Sequence, residues 1–194
     1  MKFIVNEHYH IYNRGAHKAP IFLDNVDYLR FLQLLYVMNS EKPVRFYNLN
    51  LSTIFLLDRG ETLVNIISYC LMPNHFHIAI QEKSAKGVHS FLHKLCTGYA
   101  MYYNKKYDHS GTIFQGSCKS KHVGDDDYFR YLIQYIHLNP FGIQEPDMNK
   151  PTRSEHFDEA EAYSKKYEFS SFKDYLGEIR PQRTILAFSK VEPR

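Results

Sequence analysis

The pattern of polar and apolar residues predicts four β-strands along this chain. Alternation of polar and apolar positions over residues 7–14 is typical of a half-buried β-strand. Two apolar stretches on either side of Pro73-Asn74 predict a hairpin, because proline and asparagine favour a turn. The predicted strands cover residues 7–14, 62–72, 75–81 and 118–123.

Apolar residues at every third or fourth position predict two amphipathic helices between these strands. The first begins near Asp24 or Asn25, either of which can cap it, and the second opens at Gly87. The elements then follow the order β-α-β-β-α-β. This order predicts an α+β fold of the ferredoxin-like type, in which an antiparallel sheet carries its helices on one face.

An additional helix is predicted after the last strand. Asp125-Asp126-Asp127 offers an N-cap and negative charge for the first turn, and Pro140 marks the end. At 100° per residue, Tyr131, Tyr135 and Asn139 form one stripe beside an apolar face. A tyrosine and an amide therefore point the same way, although tyrosines at helical spacing are also common in ordinary cores.

Two histidines flank one hydrophobic residue in the third predicted strand. Because side chains alternate along a strand, His75 and His77 share a face while Phe76 enters the other. Two adjacent imidazoles on a rigid strand are half of a metal site. Taken alone, such a pair is more often two half-exposed histidines than a metal site, and His8 and His10 form a second pair of this kind in the first strand.

Composition narrows the class of protein. An apolar fraction of 44% and an aromatic fraction of 15% are typical of a folded globular chain, and 194 residues suffice for one domain with an appendage. The formal charge of +3 neither requires nor excludes nucleic acid. Three separate cysteines favour a reducing compartment, and no stretch approaches 18 apolar residues. We therefore expect a soluble, cytoplasmic protein with no membrane partner.

The ordered motifs of this chain resemble the HUH endonuclease superfamily, and more narrowly the single-tyrosine transposases and their REP-associated tyrosine transposase branch. The two central motifs are His75-Phe76-His77 and Tyr135-Ile136-His137-Leu138-Asn139-Pro140. Further motifs that are similar in order and spacing lie at residues 10–15, 21–28, 72–75, 111–115 and 169–172. The resemblance covers residues 8–142 closely and 163–177 loosely.

The resemblance implies Tyr135 as the nucleophile, with His75, His77 and Asn139 as ligands of Mg²⁺ or Mn²⁺. Ligand chemistry alone leans toward Mn²⁺ or Zn²⁺, because imidazole is a less usual partner of Mg²⁺. A phenol with a pKa of about 10 is a poor nucleophile at neutral pH, so a nearby cation that stabilises charge on a phosphate is chemically reasonable. Tyr131, one turn earlier on the same stripe, is the rival nucleophile.

The expected activity is that of a transposase, a single-stranded DNA endonuclease and strand transferase that cleaves and rejoins at DNA hairpins through a 5′-phosphotyrosine. We expect a monomer or a homodimer. Basic and aromatic residues are predicted to bind phosphates and unpaired bases. These predicted DNA contacts are Arg14, Lys105, Lys106, Lys119, Lys121, Arg130 and Tyr131.

The predicted domain organisation is a catalytic domain followed by an extension. The catalytic domain is expected over residues 1–145, with an apolar insertion at about 39–61, and an accessory or partly flexible C-terminal extension over 146–194. Two other functions stay open. One is a non-catalytic nucleic-acid-binding module on the same fold, and the other is a phosphoester hydrolase that uses the paired histidines with water.

Overall fold

A computed structural model describes residues 2–44, 46, 49–144 and 156–188. The strands are β1 (His8–Arg14), β2 (Val64–Met72), β3 (His75–Glu82) and β4 (Lys119–Val123). The helices are α1 (Asn25–Val37), α2 (Gly87–Tyr107), α3 (Asp126–Leu138), α4 (Phe157–Lys165) and α5 (Phe172–Tyr175). All strand pairs are antiparallel and the sheet order is β2-β3-β1-β4. The ferredoxin-like α+β prediction is confirmed.

A carboxylate accepts backbone hydrogen bonds at the N-terminus of each of the two helices that lie between the strands. Asp24 caps α1, where its side chain accepts from the backbone of Asp27 and the Asp27 side chain accepts in return from the backbone of Asp24. The buried Glu82 carboxylate accepts from the backbone N–H groups of Gly87 and Val88, both at 2.9 Å, and so stabilises the first turn of α2.

One face of the sheet packs against α1 and α2 to form the main core. Ile11 of β1 and Phe76 and Ile78 of β3 point to this side and are fully buried. Phe31 of α1 and Tyr99 of α2 meet them, with 5.0 Å between the ring centroids of Phe31 and Phe76. The strands therefore present their remaining side chains to the opposite face.

Helix α3 covers part of that opposite face. Its Leu132 and Ile136 side chains are buried in a second apolar cluster with Ile67, Cys70 and Met72 of β2. Burying each of these two helix side chains stabilises the docked position by about 1.5–3 kcal/mol. Apolar packing thus fixes α3 on the same surface that carries His75 and His77.

The C-terminal segment within the described range closes the outer edge of β2. The backbone N–H of Leu71 donates to Phe169 O, and the N–H of Ser171 donates to Tyr69 O, each at 2.9 Å. Ser170 forms an isolated bridge with Cys70 between these two bonds. Residues 169–171 therefore extend the sheet by a short strand-like contact.

The apolar insertion predicted at 39–61 packs against α1. A short 3-10 helix at Ile54–Leu56 buries Ile54, and the Tyr36 hydroxyl donates to Leu57 O at 2.7 Å. Residues 45, 47 and 48 of this insertion lie outside the described residues. So do residues 145–155 and 189–194, which include the predicted boundary between catalytic domain and extension. The division into domains stays a prediction.

None of the helices in the described chain combines the length and apolar character needed to cross a membrane. Its three cysteines are free thiols, although the sulfur atoms of Cys96 and Cys118 lie 3.4 Å apart.

Candidate active site

The register of β1 and β3 gathers ionisable and aromatic side chains on the face that α3 covers. Tyr12 pairs with His77, and Arg14 pairs with His75. Directly opposed residues share a face, and His10 joins them because it precedes Tyr12 by two positions. Strand alternation therefore builds one surface from two neighbouring strands.

Three imidazoles lie side by side on this surface. The ring centroids of His75 and His77 are 5.1 Å apart, and Nε2 of His10 lies 2.8 Å from Nδ1 of His77. Burial lowers the pKa of His10 and of His75 to about 4, and it lowers the pKa of His77 well below the usual value. All three rings are consequently neutral at pH 7, which is the form that binds metal ions.

Tyr135 of α3 stands over the histidines. Its ring centroid is 5.4 Å from that of His77 and 6.0 Å from that of His10, and both contacts are edge-on. Burial raises the pKa of the Tyr135 hydroxyl, while a hydrogen bond with the Asn139 side chain partly opposes the rise. Tyr131 lies one turn earlier, with 6.4 Å between its ring centroid and that of Tyr135.

Asn139 follows the last residue of α3 and joins the helix to the imidazole pair. Its side-chain oxygen lies 3.3 Å from Nε2 of His75. The same amide lowers the pKa of the Tyr135 hydroxyl, so Asn139 influences both the candidate ligand and the candidate nucleophile. The four-residue spacing on α3 thus places the amide where the stripe predicts it.

Both ring nitrogens of His75 face side-chain amide oxygens. Nδ1 lies 2.7 Å from Oδ1 of Asn74, and Nε2 lies 3.3 Å from Oδ1 of Asn139. A neutral imidazole has one N–H and can donate to only one of them. Donation to the nearer oxygen, that of Asn74, leaves the Nε2 lone pair facing the oxygen of Asn139. Two electron-rich atoms then converge, and this donor set fits a divalent cation.

His, Cys, Asp and Glu side chains alone do not form a metal site in the part of the chain that the structure describes. Over the described ranges, no group of three or more of these residue types is placed to hold a metal ion. The arrangement around His75 includes an amide oxygen, which lies outside that set of residue types. The ligand set of His75, His77 and Asn139 stays a prediction.

A cavity of about 670 Å³ opens in front of the histidines and Tyr135. Arg14, Lys119 and Lys121 line it and give it positive charge. The ammonium group of Lys121 lies 4.3 Å from the ring centroid of Tyr128. The cavity therefore combines cations with aromatic faces, as single-stranded nucleic-acid sites do. Its lining also includes His10, Tyr12, Asn13, Gln115, Tyr131 and Leu132.

The other predicted DNA contacts lie elsewhere. Lys105 and Lys106 belong to the last turn of α2, the helix that packs on the opposite face of the sheet. Lys106 is bound to Asp24 and Asp27, with N–O distances of 2.7 Å to each, so its charge is already paired. Arg130 is exposed on α3 and lies 4.0 Å from Asp127.

Sequence reasoning missed several residues of the cavity. Strand alternation could have identified Tyr12 as a residue of the cavity, because it shares the strand face with His8 and His10. Tyr128 shares its face of α3 with Tyr131, and the two ring centroids are 6.2 Å apart. Gln115 comes from a loop and has no periodic signal, but its backbone N–H donates to Arg14 O at 2.9 Å and fixes it beside β1.

Comparison with known proteins supports the resemblance that the motifs indicate. A family model described as "Transposase IS200 like" matches residues 48–139, which include both histidines, Tyr135 and Asn139. A solved structure titled "Structure of the REP associates tyrosine transposase bound to a REP hairpin" has the same fold with a TM-score of 0.59. That match covers 94% of this chain and 87% of the other, at 11% identity. No curated protein matches the chain at a significant level.

The two matches concern different properties of the chain, its sequence over residues 48–139 and its fold. The family model covers the strand with the paired histidines and the helix with Tyr135. The structural match extends over nearly the whole chain. The resemblance to single-tyrosine transposases is therefore confirmed, and residues 48–139 match the family model of IS200-like transposases.

Proposed function

We propose that this chain is a metal-dependent endonuclease and strand transferase acting on single-stranded DNA at hairpins, with Tyr135 forming a 5′-phosphotyrosine intermediate. The observation that carries the proposal is the convergence of nucleophile and ligands. The ring of Tyr135 is 5.4 Å from that of His77, and the oxygen of Asn139 is 3.3 Å from Nε2 of His75. A pure binding module has no need of this combination.

The proposed cation is Mg²⁺ or Mn²⁺, held by His75, His77 and Asn139. A cation bound there would polarise a non-bridging oxygen of the scissile phosphate and offset the charge of the transition state. The neutral imidazoles, with their pKa lowered by burial, are ready to bind it without first losing a proton. Their placement on one rigid strand limits the reorganisation that binding requires.

Tyr135 attacks the phosphorus in the proposed reaction. The bond from its oxygen to phosphorus forms as the bond from phosphorus to the 3′ oxygen breaks, the phenol proton passes to solvent, and the leaving oxygen takes up a proton. One phosphoester replaces another, so the strand can be rejoined without a nucleotide cofactor. The hydrogen bond from Asn139 favours the ionised phenol and opposes the effect of burial.

The substrate fits the charge and shape of the cavity. Arg14, Lys119 and Lys121 offer cations to phosphates, and Tyr12 and Tyr131 offer faces on which unpaired bases can stack. The solved relative was bound to a REP hairpin, which supports hairpin DNA as the substrate class. Because α3 packs on the sheet of its own chain, Tyr135 can act beside the histidines of the same subunit, so that a monomer suffices.

The test uses DNA hairpins with single-stranded flanks in the presence of Mn²⁺. A 3′-labelled strand should migrate with the protein on a denaturing gel, and a 5′-labelled strand should yield a shorter fragment that ends in a 3′ hydroxyl. Tyr135→Phe should abolish the adduct but keep hairpin binding. The matched control Tyr131→Phe should still form the adduct.

Each other outcome of this experiment would favour a different function or a different nucleophile. Hairpin binding without cleavage by the native chain, over a broad hairpin library, would favour a binding module. Metal-dependent cleavage with no protein-linked strand would favour a hydrolase that uses water. Loss of the adduct in Tyr131→Phe but not in Tyr135→Phe would make Tyr131 the nucleophile.

A further inference from the structure

We infer that His10 is a positioning residue for the proposed metal site. Its Nε2 accepts a hydrogen bond from Nδ1 of His77 and so holds His77 in the tautomer whose Nε2 is free to bind a cation. The inference rests on the proposed function, because it takes His77 to be a ligand. His10 itself would contact neither the cation nor the reacting phosphate.

The contact between the two rings is short and enclosed. Nε2 of His10 is 2.8 Å from Nδ1 of His77, and the rings are inclined by only 29°. Both side chains are buried, at 8% and 7% exposure. They project from neighbouring strands of one sheet, so the backbone fixes their separation. A buried hydrogen bond of this length has a definite donor and a definite acceptor.

Only one direction of this hydrogen bond is compatible with a ligand role for His77. If His10 donated, Nδ1 of His77 would be the acceptor, and the single ring hydrogen of His77 would sit on Nε2 and block it. If His77 donates, its hydrogen is on Nδ1 and its Nε2 lone pair is free. Acceptance by His10 therefore selects the binding tautomer, as outer partners of metal-bound histidines do.

His75 has an equivalent partner from a different element. Nδ1 of His75 lies 2.7 Å from the side-chain oxygen of Asn74, which can only accept. Donation to it leaves Nε2 of His75 free on the side of Asn139. Both proposed ligands would thus use Nε2, one held by an amide from the β2–β3 turn and the other by His10 of β1.

His10 is poorly placed to be a ligand itself. Its Nε2 is occupied by His77, and its ring is bounded by Tyr12, with centroids 5.0 Å apart, and by Tyr135 at 6.0 Å. His10 instead contacts His77 on one side and Tyr135 on the other. Its ring therefore helps to set the distance between the proposed ligand and the proposed nucleophile.

The first test reads the tautomer directly and needs neither metal nor DNA. Long-range ¹H–¹⁵N correlation of the metal-free protein, labelled at its 11 histidines and assigned with single substitutions, should show His77 protonated at Nδ1. In His10→Leu, which removes the acceptor, the His77 signals should change to those of a ring protonated at Nε2. His8→Leu is the matched control on the same strand face and should leave them unchanged.

The second test measures Mn²⁺ affinity by titration with detection of free Mn²⁺. His10→Leu should weaken binding about 10–100-fold, the range expected for loss of an outer partner of a metal ligand. His10→Gln places an acceptor oxygen at the same site and should restore most of the affinity. His8→Leu should bind like the native chain, and thermal unfolding should verify that each variant is folded.

The outcomes separate this inference from the proposed function. If native protein binds no Mn²⁺, or if His77→Ala binds as well as native, the proposed metal site fails. If His77→Ala loses binding while His10→Leu keeps it, the role of His10 is overturned. A His77 ring protonated at Nε2 in native protein would overturn it as well, and so would a His10→Gln variant as weak as His10→Leu.

Discussion

The ring of Tyr135 stands nearly perpendicular to the ring of His77, with 5.4 Å between their centroids and 80° between their planes. One ring belongs to α3 and the other to β3, so the relationship depends on how the helix sits on the sheet. Leu132 and Ile136 hold it there by apolar packing. The geometry of the candidate site is therefore coupled to the second apolar cluster.

Truncation of that packing should disturb both stability and activity. Ile136 is fully buried, so Ile136→Ala should lower the free energy of unfolding by about 2–5 kcal/mol and reduce the yield of covalent adduct. Ile133 is only partly buried on the same helix, and Ile133→Ala should have a smaller effect on both. Urea unfolding and the adduct assay measure the two quantities. Equal losses in the two variants would contradict this account.

Replacement of Asn139 should separate metal binding from packing. Asn139→Leu removes the side-chain oxygen near His75, and we expect Mn²⁺ affinity to fall at least about tenfold. Asn139→Asp keeps an oxygen and adds a charge that suits Mn²⁺, so its affinity should equal or exceed that of native protein. Titration with Mn²⁺ distinguishes them, and equal affinity of the Leu variant and native protein would remove Asn139 from the ligand set.

Replacing each of two lysines should affect the salt dependence of DNA binding differently. Lys121 lines the cavity, whereas Lys106 is paired with Asp24 and Asp27 on the other side of the sheet. Lys121→Met should weaken hairpin binding and reduce the slope of log affinity against log salt by about 1. Lys106→Met should leave that slope unchanged while lowering stability. Fluorescence anisotropy at several salt concentrations measures the slopes, and a reduced slope in Lys106→Met would place DNA near α2.

Acid should destabilise the metal-free protein. Burial lowers the pKa of His137 to about 3, whereas an unfolded histidine has a pKa of about 6.5. Between these values the unfolded chain binds a proton that the folded chain does not. The stabilisation is therefore complete above about pH 6.5 and declines as the pH falls, by up to about 1.4 kcal/mol per pH unit for this residue.

The measurement is urea unfolding at pH 7, 6 and 5. His137→Gln removes one titrating group and should make the pH dependence less steep, while His10, His75 and His77, whose pKa burial also lowers, keep part of the slope. Loss of the ring packed between Phe172 and Tyr175 lowers stability at every pH. His156→Gln replaces an exposed histidine and should keep the native slope. A native stability that does not change from pH 7 to pH 5 would contradict the prediction.

Local pattern was sufficient to predict much of this fold. Alternation in β1, the turn at Pro73-Asn74 and the apolar spacing of α2 depend on neighbours within a few residues, and they predict the element order correctly. The stripe of Tyr131, Tyr135 and Asn139 likewise follows from helix geometry alone. These features depend on residues that are close together in the chain, so they can be predicted from the sequence alone.

Long-range contacts were not predictable in the same way. The pairing of His10 with His77 spans 67 positions and depends on the register of β1 against β3. Lys106 is drawn to Asp27 across 79 positions, and its charge on a helix surface carries no sign of that partner. Such contacts follow from the packed chain, where burial and charge pairing decide which groups meet.

The short strand-like contact of residues 169–171 with β2 has a consequence for self-association. An uncovered outer strand presents unpaired N–H and C=O groups that can recruit a strand from a second molecule. Here the main chain of Phe169 and Ser171 occupies those groups of Tyr69 and Leu71. A strand from a second copy therefore cannot pair with β2 at Tyr69 and Leu71 while residues 169–171 stay in place.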